Sequence, residues 1–296
     1  MNAVEIKGLT KQYGKFTALD NLNIEVRKGE VLGYLGPNGS GKTTTIRLML
    51  GMIKPSAGQV TIFGKDAQKQ KEEVHASVAY VPGEANLWPF LTGIETLHLL
   101  EKVHGKVDTS YRDELIMRFD LDQHKKVRTY SKGNKQKITL IAALASRAEL
   151  LVLDEPTSGL DPLMEQVFRE SVKEAQSNGQ TVFLSSHILE EVETLCDRVA
   201  VLRSGKLVEL GTLAEMRHLS AVTVEATFSG KPPSVEKVKG VSNVQVLKNH
   251  LQCQVNGPID ELLNVLAPAR PLTLLSREPS LEELFLSLYG EKAGGK

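Results

Sequence analysis

A glycine-rich segment directly follows a short apolar run, and this arrangement constrains the fold more than any other feature of the sequence. The run, residues 31–35, reads VLGYL and is typical of a buried strand. Residues 36–43 match the pattern G-x-x-x-x-G-K-[ST], and apolar residues at helical spacing continue as far as Pro55. Strand, glycine loop and helix in this order predict a phosphate-binding loop in an α/β domain. A tight glycine-rich turn is the structural alternative.

The residue types in this loop suit a nucleoside triphosphate. Glycines let backbone N–H groups converge on the phosphates, and the helix N-terminus adds a partial positive charge. Lys42 is expected to reach the β- and γ-phosphates, and the Thr43 hydroxyl is expected to bind Mg²⁺. The candidate nucleotide-binding residues of the loop are Gly36, Pro37, Asn38, Gly39, Ser40, Gly41, Lys42, Thr43 and Thr44.

Two carboxylates follow a second apolar run, residues 150–153. Because α/β sheets bind ligands at the carboxyl ends of their strands, both side chains are expected at the nucleotide. Asp154 is expected to hold Mg²⁺, and Glu155 to polarise the attacking water. Capping of the next helix is the alternative for one of them. The pair favours hydrolysis over phosphoryl transfer to another acceptor.

Apolar patterning predicts the rest of a first domain over residues 1–218. Alternation near residues 4–6 and 22–26 predicts antiparallel strands, whereas the continuous runs, including residues 181–184, predict parallel strands. A helix is expected over residues 162–176. Three further helices, near residues 92–104, 109–119 and 131–146, form an expected helical subdomain at about residues 85–148.

The composition changes after about residue 218, and a second domain is expected at residues 219–296. Strands are expected near residues 222–228, 244–246, 251–255 and 271–276, with helices near 234–239 and 258–267. This β-α-β-β-α-β order predicts a small ferredoxin-like α+β domain. A closing helix at residues 280–289 has one apolar face that suits docking.

Further motifs accompany the glycine loop and the carboxylates in a fixed order. They are KQYG around Tyr13, SKGNKQ from Ser131, SGLD ending at Asp161, and SSH ending at His187. With these residues, the chain from about Val4 to Met216 resembles the nucleotide-binding subunit of ATP-binding-cassette transporters. The resemblance implies a P-loop ATPase fold with an antiparallel β subdomain and a helical insertion, with ATP and Mg²⁺ as its ligands.

The resemblance also implies a role for each motif. Tyr13 stacks on adenine. A ring nitrogen of His187 bonds the γ-phosphate and steadies the catalytic carboxylate of Glu155. Ser131 and Gly133 meet a γ-phosphate bound to the other subunit of a dimer, and Asp161 links the two sites. The structural alternatives are an edge-strand aromatic for Tyr13, a purely structural histidine, and a helix cap for Asp161.

Two motifs depart from the family pattern. Lys132 and Asn134 replace the first glycine and the glutamine of the signature motif. Gly83 stands where the family has a glutamine that touches Mg²⁺, and it has no side chain that could do so. Glu84, one position later, is the candidate substitute ligand.

The single cassette, the substituted signature and the trailing domain resemble the ATPase subunits of bacterial multidrug and antibiotic exporters. The implied partners are a membrane permease and a second ATP-binding subunit, in a homodimer or a heterodimer. The permease is expected near residues 83–90, where Trp88 and Phe90 are either contacts or core. The glutamates at positions 190, 191 and 193 are interpreted as a solvated face.

Charge and hydropathy support this interpretation. The 36 Lys and Arg residues balance the 36 Asp and Glu residues, which argues against nucleic acid as a partner. No apolar run approaches the ~18–20 residues of a membrane span, and no signal peptide is recognised. We therefore expect a peripheral protein on the cytoplasmic face of the membrane, held by its permease. The alternative is a soluble cassette ATPase with a regulatory, ribosome-associated or DNA-associated role.

Overall fold

The computed structural model describes residues 2–105, 107–218 and 222–277, and the chain divides into two compact units. The first unit comprises residues 1–211, and the second begins at Thr212. The sequence predicts the border after residue 218, which is the end of a short helix in the second unit. None of the helices in the described ranges is long and apolar enough to cross a membrane.

The first unit contains ten strands and seven helices in its described part. The strands are β1 (Asn2–Tyr13), β2 (Phe16–Arg27), β3 (Val31–Leu35), β4 (Ala57–Ile62), β5 (Lys65–Asp66), β6 (Val78–Val81), β7 (Leu150–Asp154), β8 (Thr181–Ser186), β9 (Arg198–Arg203) and β10 (Lys206–Gly211). The helices are α1 (Lys42–Met49), α2 (Lys71–His75), α3 (Gly93–His104), α4 (Thr109–Arg118), α5 (Lys132–Ala145), α6 (Pro162–Ser177) and α7 (Leu189–Leu195).

The strands form two sheets, as their apolar patterns predict. The alternating strands β1 and β2 pair antiparallel in a four-stranded sheet of order β2-β1-β4-β5. The continuous apolar strands lie in a six-stranded sheet of order β10-β9-β3-β8-β7-β6, in which the pairs between β9 and β6 are parallel and β10 is an antiparallel edge. The predicted combination of an antiparallel subdomain with a parallel core is confirmed.

The six-stranded sheet is buried on both faces, which explains its continuous apolar runs. Along β7, Leu150 and Val152 join a buried cluster with residues of β1, β2 and α1, whereas Leu151 and Leu153 join a second cluster with residues of α3, α4 and α5. These three helices lie between β6 and β7 and confirm the predicted helical insertion. The first of them begins at Thr92 with a reciprocal capping box to Glu95.

The first helix is shorter than the sequence predicts. Its apolar spacing suggests continuation to Pro55, but α1 ends at Met49. Gly51 follows with φ +63°, a left-handed conformation that helices commonly adopt where they stop. Beyond this point Ile53 packs against the core from a turn, whereas Met52 is exposed.

The second unit is a four-stranded antiparallel sheet of order β12-β13-β11-β14. Its elements are α8 (Leu213–His218), β11 (Val222–Thr227), β12 (Val241–Leu247), β13 (His250–Val255), α9 (Asp260–Leu266) and β14 (Thr273–Arg277). Apolar side chains of the sheet pack against Leu262 and Leu266 of α9. Short 3-10 turns occur at Ala267–Ala269 here and at Val127–Thr129 in the first unit.

The first predicted helix of this unit, at residues 234–239, is absent. The segment is irregular, although Val235 within it is fully buried in the core of the unit. Pro232 and Pro233 precede it and Gly240 follows with φ +82°, so too few residues remain to offset the cost of nucleating a helix. The closing helix predicted at residues 280–289 lies outside the described residues.

Gly33 permits the close packing of α7 on β3 and supplies a test of the fold. A Cβ atom at this position would lie 2.8 Å from Cys196 Sγ and 3.0 Å from Val192 Cγ1. We expect Gly33→Ala to lower the free energy of unfolding by about 1–3 kcal/mol through overpacking, measured by denaturant titration. Gly230→Ala is the control, because Gly230 has no heavy atom within 4 Å of its Cβ position. Equal stability of the two variants would contradict the tight packing.

Candidate nucleotide-binding site

The glycine loop connects β3 to α1 and is shaped by its core contacts. Gly41 has φ +112°, and a Cβ atom there would lie 2.6 Å from Leu19 Cδ2 and 2.9 Å from the Ala18 carbonyl oxygen. The position therefore requires glycine for both its conformation and its close approach to β2. The helix that follows directs its N-terminal N–H groups toward the loop, as an anion-binding site requires.

Lys42 lies inside this loop and is almost completely buried, with 4% of its surface exposed. Its ammonium group donates hydrogen bonds to the carbonyl oxygens of Gly36, at 2.7 Å, and Pro37, at 3.3 Å. It also lies 3.4 Å from Glu155 Oε1. A buried cation held by carbonyl oxygens and one carboxylate is placed to bind an anion that enters the loop.

Asp154 ends β7 in an environment that suits a divalent cation. Burial raises the pKa of its carboxyl, while the hydroxyls of Ser185 and Thr43 oppose the rise. Its Oδ1 atom is buried and has no hydrogen-bond partner. Carboxylate and hydroxyl oxygens are the ligands that Mg²⁺ prefers, so Asp154 and Thr43 fit a magnesium site.

Asp154 and Thr43 would supply only part of the coordination shell of such an ion. Within the described residues, no group of three or more His, Cys, Asp or Glu side chains could hold a metal ion. Phosphate oxygens and water commonly complete the octahedral shell of Mg²⁺. Glu84 lies exposed on the loop after β6, and its role as a ligand stays a prediction.

Gly83, the position at which the family glutamine is missing, lies directly beside the carboxylate pair. A Cβ atom at Gly83 would lie 3.1 Å from the Asp154 carbonyl oxygen and 3.7 Å from Glu155 Cβ. The segment after β6 therefore passes alongside the residues that are expected to hold the metal and activate water. The glycine allows this close approach.

Glu155 adopts an unusual backbone conformation that directs its side chain into the site. Its φ of +46° is left-handed, and its N–H donates to the Ser185 carbonyl oxygen at 2.9 Å. Left-handed conformations of non-glycine residues carry strain and cluster at functional sites. His187 follows the neighbouring strand β8, and its Nδ1 atom lies 3.3 Å from Glu155 Oε1. The structure thus brings together Lys42, Glu155 and His187.

The signature residues contact the segment that precedes α6. Ser131 caps α5, since its hydroxyl accepts a hydrogen bond from the Asn134 N–H at 3.2 Å. Gly133 packs against the Gly159 carbonyl oxygen, and the Lys132 ammonium lies 2.7 Å from Ser158 Oγ. The substituted signature is therefore tied within the same chain to the segment ending at Asp161.

Asp161 and Tyr13 occupy positions that fit their structural alternatives as well as their implied roles. Asp161 caps α6 by accepting a hydrogen bond from the Met164 N–H at 3.1 Å, with Pro162 as the first helical residue. Tyr13 ends β1 with an exposed ring, and the Lys11 ammonium lies 4.9 Å from the ring centroid. A ring with an accessible face can stack on a purine.

The sequence interpretation was wrong about Glu191. The glutamates at positions 190 and 193 are exposed, but Glu191 is only 3% exposed. Its Oε2 atom lies 2.5 Å from Ser186 Oγ, and burial raises its pKa to about 7. The helical spacing from Glu191 to Leu195, both buried in α7, is the sequence signal that could have revealed this orientation.

Gln136 is a second buried polar residue that the sequence did not single out. It lies on α5 with no exposed surface, and its Nε2 atom donates to the Pro82 carbonyl oxygen at 3.1 Å. This hydrogen bond joins the helix that Ser131 caps to the loop that contains Gly83. Gln136 ends the SKGNKQ motif and lies between Lys135 and Lys137, so its immediate neighbours gave no signal of burial.

The raised pKa of Glu191 predicts a pH-dependent stability. Its carboxyl has a pKa of about 7 in the folded chain and an ordinary value near 4.5. This carboxyl therefore contributes stability that is present below pH 4.5 and is lost as the pH rises through 7. Glu191→Gln should remove this loss, which amounts to at most about 3 kcal/mol. Thermal unfolding between pH 5 and pH 8 measures the difference.

The control for this measurement is Glu190→Gln, because Glu190 lies on the same helix with an exposed side chain. Its unfolding temperature should follow that of the unmodified chain across the pH range. If Glu191→Gln also follows the unmodified chain, the carboxyl does not titrate as its burial predicts.

Comparison with known proteins finds similarity to one family. A family model described as ABC transporter matches residues 19–158. The bacitracin transport ATP-binding protein BcrA of Bacillus licheniformis is 40% identical, over 97% of this chain and 97% of that protein. The linearmycin resistance ATP-binding protein LnrL of Bacillus subtilis (strain 168) is 32% identical, over 97% of this chain and 98% of that protein.

A solved structure shows the same fold. It is a dimeric ATP-binding cassette in a post-hydrolysis state, bound to ADP and phosphate. The TM-score is 0.64 and the sequence identity 25%, and the match covers 71% of this chain and 98% of that chain.

Proposed function

The chain belongs to the family of ABC transporter ATP-binding proteins, and we propose that it hydrolyses ATP to power an exporter of drug-like compounds. One observation carries the hydrolytic part: Glu155 Oε1 lies within 3.4 Å of the Lys42 ammonium and 3.3 Å of His187 Nδ1. The names of the two relatives, concerned with bacitracin transport and linearmycin resistance, support the cargo class. Their alignments extend through the second unit and favour a transporter over a soluble regulatory ATPase.

In the proposed reaction, Lys42 and the backbone N–H groups of the loop bind the phosphates. Phosphate competes with Glu155 for the Lys42 ammonium, so binding of ATP frees the carboxylate for water. Glu155 accepts a proton from the attacking water, while His187 holds the carboxylate in position. Thr43 and Asp154 would hold Mg²⁺, which when bound would supply charge neutralisation at the triphosphate.

Hydrolysis is proposed to occur in a dimer of ATP-binding subunits. Ser131 and Gly133 of one subunit meet the γ-phosphate bound to the other, and Tyr13 stacks on the adenine. Support comes from the exposed position of Ser131 at the start of α5 and from the dimeric, product-bound structural relative. The partner is a second copy of this chain or a related subunit.

The surface after β6 is the proposed contact with the membrane permease, which holds the chain at the cytoplasmic face. A cavity of about 370 Å³ opens there, lined by side chains that include Pro82, Leu87, Trp88 and Val103. Trp88 and Phe90 are exposed rather than part of the core, at 47% and 74%. Exposed aromatic side chains beside an apolar groove are typical anchors of protein interfaces.

The catalytic assignment is tested by Glu155→Gln in the full-length chain. The amide cannot accept the proton of water, so turnover should fall about 100-fold or more. ATP affinity should be retained or increased, because the competing charge beside Lys42 is removed. Phosphate release and equilibrium ATP binding are the measurements.

Glu149→Gln is the matched control, because this glutamate is exposed at the other end of the same strand. Its phosphate release should match that of the unmodified chain. Unchanged hydrolysis by Glu155→Gln would exclude Glu155 as the general base.

The permease contact is tested by Phe90→Ser. Loss of the exposed ring should reduce recovery of the chain with its co-expressed permease in detergent by about 30-fold, since an aromatic side chain that anchors an interface as a hot spot contributes about 2 kcal/mol. Met117→Ser is the control, because Met117 on α4 is also 74% exposed. If both variants are recovered with the permease equally well, the contact lies elsewhere.

A further inference from the structure

Glu191 is a buried acidic side chain with one hydroxyl partner. Its Oε2 atom lies 2.5 Å from the Ser186 hydroxyl, whereas its buried Oε1 atom has no hydrogen-bond partner. Ser186 and the nearby Thr157, whose hydroxyl lowers the pKa of the carboxyl, are themselves almost completely buried. Burying a carboxyl is costly unless hydrogen bonds offset its lost hydration, and only one of its two oxygens is satisfied here, so this arrangement calls for a functional reason.

The helix that carries Glu191 has little freedom to move. On α7, Val192 and the following Cys196 approach Gly33 of β3 so closely that a Cβ atom would not fit between them. Glu191 therefore projects from a fixed support toward the carboxyl end of β8. A carboxyl held in this way can fix the position of the groups that it binds.

On one side, Glu191 fixes the backbone around His187. The Ser186 hydroxyl accepts a hydrogen bond from the Ile188 N–H at 3.0 Å, which leaves its proton to be donated to Glu191. Ser186 and Ile188 flank His187, so the carboxyl sets the conformation of the three-residue turn that presents the imidazole. His187 itself is half exposed and has little packing of its own to hold it.

On the other side, Glu191 reaches the segment after the catalytic carboxylate. Thr157 is two residues beyond Glu155, whose left-handed backbone is held by the Ser185 carbonyl oxygen. The carboxyl of Glu191 therefore hydrogen-bonds to the segment that carries His187 and lies near the segment that carries Glu155, and the side chains of these two residues meet at a 3.3 Å contact.

We propose that Glu191 is a positioning residue for ATP hydrolysis, which holds the turn that presents His187 to Glu155 in the placement that the reaction requires. The proposal rests on the proposed function, in which Glu155 accepts the proton of water. Glu191 acts through Ser186.

The test compares Glu191→Ala with Glu191→Gln in the full-length chain. The alanine variant loses the acceptor for the Ser186 hydroxyl, and its kcat should fall about tenfold. The KM for MgATP should stay within about twofold, because the phosphate loop is untouched. The glutamine variant keeps an amide oxygen at the same place and should retain at least half of the kcat.

Ser186→Ala removes the same hydrogen bond from its other end and guards against misfolding of Glu191→Ala. It should lower kcat with little change in KM, and adding Glu191→Ala to it should cause no further tenfold loss. Glu190→Ala, on the exposed face of α7, should leave both constants unchanged. Independent, multiplying losses in the double variant would overturn the proposal.

Two further results also decide the matter. The proposal fails if Glu191→Ala and Ser186→Ala keep full kcat, or if Glu191→Gln loses as much kcat as Glu191→Ala. Glu155→Gln, measured in parallel, separates this failure from that of the proposed function. If Glu155→Gln abolishes turnover while the Glu191 variants do not, only the positioning role is wrong.

Discussion

The alignment of the parallel strands is the constraint on which the site depends. Leu35 of β3 pairs with Ser186 of β8, and Asp154 of β7 pairs with Ser185, so three strands end at the same level. The glycine loop, the carboxylates and the histidine each follow one of these ends. The strands of this sheet are buried on both faces, so they cannot slip past one another without exposing apolar side chains. The site is therefore as rigid as the core.

The charges at this edge balance one another at close range. The Lys42 ammonium and His187 Nδ1 both lie within 3.4 Å of Glu155 Oε1, while Asp154 lies beside the hydroxyls of Ser185 and Thr43 in a more buried place. Two carboxylates in adjacent positions thus meet different surroundings, one suited to a metal and one suited to a proton. The strained backbone of Glu155 is what separates the directions of the two side chains.

Local patterns made much of the fold and site predictable. The glycine loop, Asp154 and Glu155 each directly follow or end a strand, and their functional interpretation depends on that position. The apolar runs identified those strands from the sequence. The burial of Gln136 depends instead on which neighbours pack against α5, which no local pattern contains, whereas the only local signal for the burial of Glu191 was its helical spacing to Leu195. The missing helix after β11 has a similar cause, because its length was marginal and the burial of Val235 satisfied the core without it.

The hydrogen bond between Gln136 and the Pro82 carbonyl has a mechanical consequence. It joins the loop after β6 to α5 at a point five residues, or ~7–8 Å along the helix axis, from Ser131, which caps that helix. Displacing the loop therefore requires that this buried hydrogen bond break or that the start of α5 move with it.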